Sequence, residues 1–102
     1  MGLRNWAILY TSSGTPREGS VTVAETPTCR TVLAGVPDIE AAVRIAPKLV
    51  KDGAQLIELC GAFGPLGTAR VLEAIGGAVP VGAVAYGPES VAGVHAILTT
   101  KR

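Results

Sequence analysis

Glu58 stands inside Leu56-Ile57-Glu58-Leu59-Cys60, a run that is otherwise apolar. A carboxylate in a strand covered on both faces must be paired, hydrogen-bonded, protonated or open to a cavity, because an isolated buried charge is too costly. Carboxylates held in such settings serve as general acids and bases, and Glu58 is the first catalytic candidate. The alternative is a structural ion pair or a subunit contact. Cys60 follows two residues later and adjoins Gly61-Ala62-Phe63-Gly64-Pro65-Leu66-Gly67, a glycine-rich turn feeding a helix. The N–H groups and dipole of a helix N-terminus suit an anion and favour a neighbouring thiolate. Cys60 is therefore a candidate nucleophile, or else a small buried hydrophobe. Gly61, Phe63 and Gly64 are ligand-binding candidates, although the same glycines also suit a plain tight turn.

Tyr10 and Thr11 end one apolar run, and Tyr86 ends another. Each phenol either donates to a substrate oxygen or caps the core with a wet hydroxyl. Tyr86 joins the catalytic candidates, and Tyr10 and Thr11 the ligand-binding ones. Glu89 and Ser90, next to Gly87-Pro88, complete the set, though the helix dipole alone favours an acidic residue there. His95, the single histidine, falls two turns into the last helix, too far along to pair with Cys60. One histidine and two separated cysteines do not make a zinc ligand set. The turn lacks both the G-K-[ST] ending of a phosphate-binding loop and the G-x-G-x-x-G spacing of a dinucleotide fold. Neither a metal nor a cofactor is expected.

The elements that must position these residues alternate in texture. Runs at residues 5–11, 30–36, 55–60 and 79–86 are continuously apolar, which reads as strands covered on both faces of a parallel sheet. Asp38 caps a helix with Ile39, Ala42, Val43, Ala46, Leu49 and Val50 inward, Pro47 kinking it and Gly53 ending it. A second helix opens at Gly64-Pro65, carries Leu66, Thr68, Val71, Leu72 and Ile75 inward, and ends at Gly76-Gly77. A third opens at Gly87-Pro88, with Val91, Val94, His95 and Leu98 inward, and frays into Thr99-Thr100-Lys101-Arg102. The expected fold is one α/β domain over residues 1–102, with a four-stranded mostly parallel sheet of order 2-1-3-4. It is flavodoxin-like or resembles part of a (βα)8 barrel. Ser12 to Thr28 stands where a first crossover helix belongs, with a short irregular strand possible at Val21 to Glu25. On this order Tyr10, Thr11, Glu58, Cys60 and Gly61 gather where the strand order reverses, the usual binding crevice of open α/β sheets. Cys29 opens one strand and Cys60 closes a neighbouring parallel one, about 17–20 Å apart, so both are free thiols.

Composition narrows the function. The 102 residues are 48% hydrophobic and 17% charged, which excludes disorder. A net charge of +1 gives no basic surplus for nucleic acid. The longest uncharged stretch, Ala74 to Pro88, is too short and too broken by glycine and proline for a membrane span. The short apolar run near the N-terminus does not fit a secretory signal, so a cytoplasmic protein is expected.

Leu56-Ile57-Glu58-Leu59-Cys60-Gly61-Ala62-Phe63-Gly64-Pro65, with Val79-Pro80-Val81-Gly82 and Tyr86-Gly87-Pro88-Glu89-Ser90, resembles a family of small bacterial α/β proteins of unknown function. The resemblance runs from Trp6 to about Leu98, and Cys-Gly-x-Phe-Gly-Pro is its sharpest element. It implies that Glu58, Cys60, Gly61, Phe63, Gly64 and Tyr86 belong together, and it supplies no reaction. Two functions stand. One is a cofactor-independent isomerase, dehydratase or cyclase acting on an anionic or carbonyl-bearing small molecule through Glu58. The other is a non-catalytic ligand-binding or assembly module; a homo-oligomer is expected, because so small a sheet leaves an edge and apolar surface to cover.

Overall fold

Right-handed crossovers decide which face of this sheet is covered. The computed structural model describes residues 2–100, so Met1, Lys101 and Arg102, the last two expected in a frayed end, lie outside the described residues. The elements run β1 (Asn5–Thr11), β2 (Ser20–Glu25), β3 (Arg30–Val36), α1 (Ile39–Lys51), β4 (Ile57–Leu59), α2 (Gly64–Ala74), β5 (Val81–Ala83) and α3 (Pro88–Thr99). They form a single small α/β domain around a five-stranded sheet of order β2-β3-β1-β4-β5. The four parallel strands stand in the 2-1-3-4 order that the sequence predicts. The fifth is β2, antiparallel to β3 at the edge, so the expected count of four is one short. Its Ser-Val-Thr-Val-Ala-Glu alternation is that of an edge strand, and all six residues are exposed. Thr26 closes the hairpin, donating its N–H to the Cys29 carbonyl (2.9 Å) and accepting the Cys29 N–H on its hydroxyl (3.1 Å).

The steps β3–α1–β4 and β4–α2–β5 both move the same way across the sheet. Right-handed connections therefore place α1 and α2 on one face. There Ala7, Leu9, Val32, Ala34, Val36, Ile57 and Leu59 make the core with Ala41, Ala42, Ala46 and Leu49 of α1 and Val71 of α2. A helix joining β1 to β3 would move the other way and lie on the opposite face; the β2 hairpin makes that connection instead. The expectation of strands covered on both faces is thus corrected. Trp6, Ile8, Thr31 and Leu33, alternating with the core residues, point to a face that neither α1 nor α2 covers.

Asp38 caps α1 as expected, accepting the Ala41 N–H at 2.9 Å. It also holds Arg17 through two bonds of 2.7 and 3.0 Å, which ties the 12–19 loop to the helix start. The helix runs through Pro47 without a break and stops at Gly53, whose φ of +105° is the left-handed C-terminal turn. In α2 the inward stripe differs from expectation: Gly67 and Val71 are the buried residues, and Leu66 is 82% exposed. The reason is a close approach at Gly67, where a Cβ would stand 3.1 Å from Phe63 Cβ and 3.2 Å from Ile39 Cδ1. The inward stripe expected of α3 is not formed, for none of its residues is buried. No helix among the described residues is long and apolar enough to cross a membrane.

Candidate functional site

Parallel pairing carries β1 and β4 to the same rim, and their last residues meet there. The Cys60 N–H donates to the Leu9 carbonyl at 3.2 Å, extending the β1–β4 ladder by one rung. That rung brings the Thr11 hydroxyl to 3.8 Å from the half-buried Cys60 sulfur. Beyond Cys60 the chain turns at Gly61, and the Tyr86 ring lies on the glycine: a Cβ there would stand 3.0 Å from Tyr86 Cε2. Thr11, Cys60, Gly61 and Tyr86 form one wall of a cleft of about 300 Å³, and Val94, Ile97 and Leu98 of α3 form the other. A second hollow of about 420 Å³ shares Gly61, Tyr86 and Val94 with it and adds Gly64, Val91 and His95. Mostly apolar walls with a few convergent polar groups are the ordinary make-up of a small-molecule site.

Glu58 sits two positions before Cys60 on the same strand face, roughly 6.6 Å back along β4. It is exposed, not buried, because its face is the uncovered one. In register it stands between Ile8 and Gly82, and an added Cβ at Gly82 would meet nothing within 4 Å. The result is a hollow of about 260 Å³ lined by Glu58, Gly82, Ala83 and Val84. Val84 borders both this hollow and the one beside His95. Among the described residues Glu58 enters none of the ion pairs, and the structural salt bridge is not formed.

Other candidates disperse. Tyr10 lies over Gly35 of β3, where a Cβ would meet its Cζ at 2.8 Å, so its ring turns away from the cleft. Phe63 is 3% exposed and belongs to the core. The Phe63 N–H is already donated to the Cys60 carbonyl at 3.2 Å, the Gly67 N–H to the Phe63 carbonyl at 3.0 Å, and Pro65 has none. The anion-binding turn therefore has fewer free amides than its glycines promise. The Glu89 carboxylate folds back on Gly87, and neither it nor Ser90 borders the cleft. His95 lines the second hollow beside Gly61 and Tyr86, as Val94, Ile97 and Leu98 line the first, and no hydrogen bond joins it to Cys60 among the described residues. The signal for Val94, His95 and Leu98 is the apolar stripe of the last helix, which lines these hollows without being buried in the core.

Cys29 and Cys60 are free, but their strands are not neighbours, since β1 lies between β3 and β4. No cluster of three or more metal-ligating side chains occurs among the described residues. The shifted carboxyl is remote from the cleft: the hydrogen bond from Arg17, then that from the Ala41 N–H, holds Asp38 below the usual carboxylate range.

A family model described as a family of unknown function (DUF6506) matches residues 4–99, nearly the stretch over which the sequence resemblance ran. Among solved structures, a crystal structure of arylmalonate decarboxylase is similar, with a TM-score of 0.44 and 24% identity. The alignment covers 76% of this chain and 40% of that one, so this chain spans well under half of that enzyme's length. No curated protein matches the chain.

Proposed function

The chain belongs to the family of unknown function DUF6506, and from that premise we propose that it is a cofactor-independent enzyme performing acid–base chemistry on a small carbonyl- or carboxylate-bearing molecule. The observation that carries the reading is the half-buried Cys60 thiol at the reversal of strand order, with the Thr11 hydroxyl 3.8 Å away and the Tyr86 ring closing the same cleft. In this reading the substrate carbonyl accepts hydrogen bonds from the Tyr86 and Thr11 hydroxyls. Electron density drawn to that oxygen acidifies the neighbouring carbon, and Cys60, as thiolate, removes its proton. Glu58, farther back along β4, is the second acid–base group and, entering in its acid form, returns a proton at another position. An isomerisation balances on those two transfers. In a dehydration Glu58 instead protonates the departing hydroxide, which leaves as water. In both cases solvent takes the proton from Cys60 and restores one to Glu58 for the next turnover. Val94, Ile97 and Leu98 of α3 give the apolar part of the substrate its contact surface.

A thermal-shift screen against small phosphates, carboxylates and β-keto compounds tests this, run on wild type, Cys60→Ser and Glu58→Gln. A ligand at 100 times its Kd adds about 2.7 kcal/mol, a rise of more than roughly 10 °C in a domain of this size. A hit whose α-protons exchange with solvent deuterium by NMR in wild type and not in Cys60→Ser, and whose conversion to product is lost in Glu58→Gln, supports the proposal. A hit that exchanges equally in all three proteins sinks it.

The second reading, a homo-oligomeric module without chemistry, is favoured by one specific observation. Glu58 is exposed on an apolar sheet face that neither α1 nor α2 covers.

A further inference from the structure

This chain exposes more surface than a monomer of its mass should. Its accessible surface is 6522 Å², whereas the area–mass relation for folded monomers gives about 5,400 Å² at 10.4 kDa. The excess, about 1,100 Å², exceeds the roughly 800 Å² that each partner contributes to a standard protein–protein interface. The Cα radius of gyration agrees, at 14.0 Å against about 12.8 Å for a compact domain of this length.

Two apolar features lie within that surface. One is the sheet face that α1 and α2 leave open, where Trp6, Ile8 and Leu33 are half-buried. The other is α3, a 12-residue helix with no buried residue, in which Ile97 is 74% and Leu98 61% exposed. An isolated helix of that length is marginal in water, and helices in proteins are held mainly by packing of an apolar face. The two features adjoin at the end of β4, where Ile97 and Leu98 line the cleft with Cys60.

We infer that a second copy of this chain packs by two-fold symmetry on the uncovered sheet face and α3, forming a homodimer. A second copy suits this surface because the excess area is enough for one side of an isologous interface. The sheet face also asks no charge complement of its partner: Glu58 is the one charged residue among the open-face positions of β1, β3 and β4. Packing there closes the hollow beside Glu58. The inference rests on area and packing and does not draw on the proposed chemistry.

The experiment is light scattering coupled to size exclusion on the full chain between about 1 and 100 µM, with the emission of the single tryptophan followed on dilution. The expected result is a mass near twice 10.4 kDa at the upper end, with Trp6 emission moving to the red as the dimer dissociates. Ile97→Glu, with Ile97→Ser as the milder change should the first fail to fold, weakens the dimer at least tenfold. Leu66→Glu, an equally exposed position on α2 over the covered face, leaves it intact. A monomer throughout overturns the inference and hands the surface to a different partner. So does a dimer whose Trp6 emission matches that of the Ile97 variant, the signature of edge pairing through β2, or one that Leu66→Glu breaks equally. A monomer leaves the ligand screen to judge the chemistry, and a dimer with no ligand shift does the converse.

Discussion

Asp38 does two jobs with one carboxylate, accepting from the Ala41 N–H at the head of α1 and from Arg17 across the 12–19 loop. Both bonds favour the ionised form, so its pKa is lowered in the folded state from an ordinary 3.8. The associated stability is present above that ordinary value and lost as pH falls through the lower folded one. Thermal melts of wild type and Asp38→Asn should therefore differ most near neutrality and converge as pH drops below about 4. The difference should be small, because both partners are half exposed. At Gly61 the expectation concerns binding. An added Cβ would stand 3.0 Å from Tyr86 Cε2. The ring is half exposed and can swing outward, so Gly61→Ala should cost under about 1 kcal/mol of stability, in line with a surface adjustment. It should nevertheless abolish the thermal shift from any ligand found, since it reshapes the cleft wall. A preserved shift would move the site away from Tyr86.

At the scale of elements, the α1–α2 contact turns on Gly67. Replacing a helical glycine by alanine gains about 0.8–1 kcal/mol of propensity. Here the new methyl would press on Phe63 Cβ at 3.1 Å, an atom fixed to the backbone, and on Ile39 Cδ1 at 3.2 Å. Overpacking typically costs about 1–3 kcal/mol. The two effects oppose, and the rigid neighbour decides: Gly67→Ala should be net destabilising by about 1 kcal/mol in urea titrations. Stabilisation would mean that α2 shifts freely on α1. The same contact explains why an α2 stripe read from hydrophobicity alone goes astray. Leu66 is more apolar than Gly67, yet close approach of two helices rewards the residue with no side chain.

For the whole molecule, the telling quantity is surface. A 102-residue chain with one covered face has little core to spare, and a homodimer supplies what the second face lacks. The melting temperature should then rise by a few degrees for each tenfold increase in protein concentration, measured by calorimetry. A concentration-independent melting temperature would mean that one copy is stable with its Trp6 face in water.

The β–α–β texture, the caps at Asp38 and Gly53 and the parallel strand order were legible in the sequence, because periodicity, capping chemistry and crossover handedness are local or nearly local rules. Of the residues that this order gathers, Thr11, Cys60 and Gly61 do line one cleft, whereas Tyr10 lies over Gly35 and Glu58 lines a separate hollow. What tertiary structure alone decided is which face the helices cover. A continuous apolar run reads the same whether its second face meets a helix of its own chain or something else. That face was settled by the replacement of a crossover helix with the β2 hairpin, and with it went the burial of Glu58 and the exposure of α3. Burial is a property of what lies opposite a residue, and on one face of this sheet neither α1 nor α2 stands opposite.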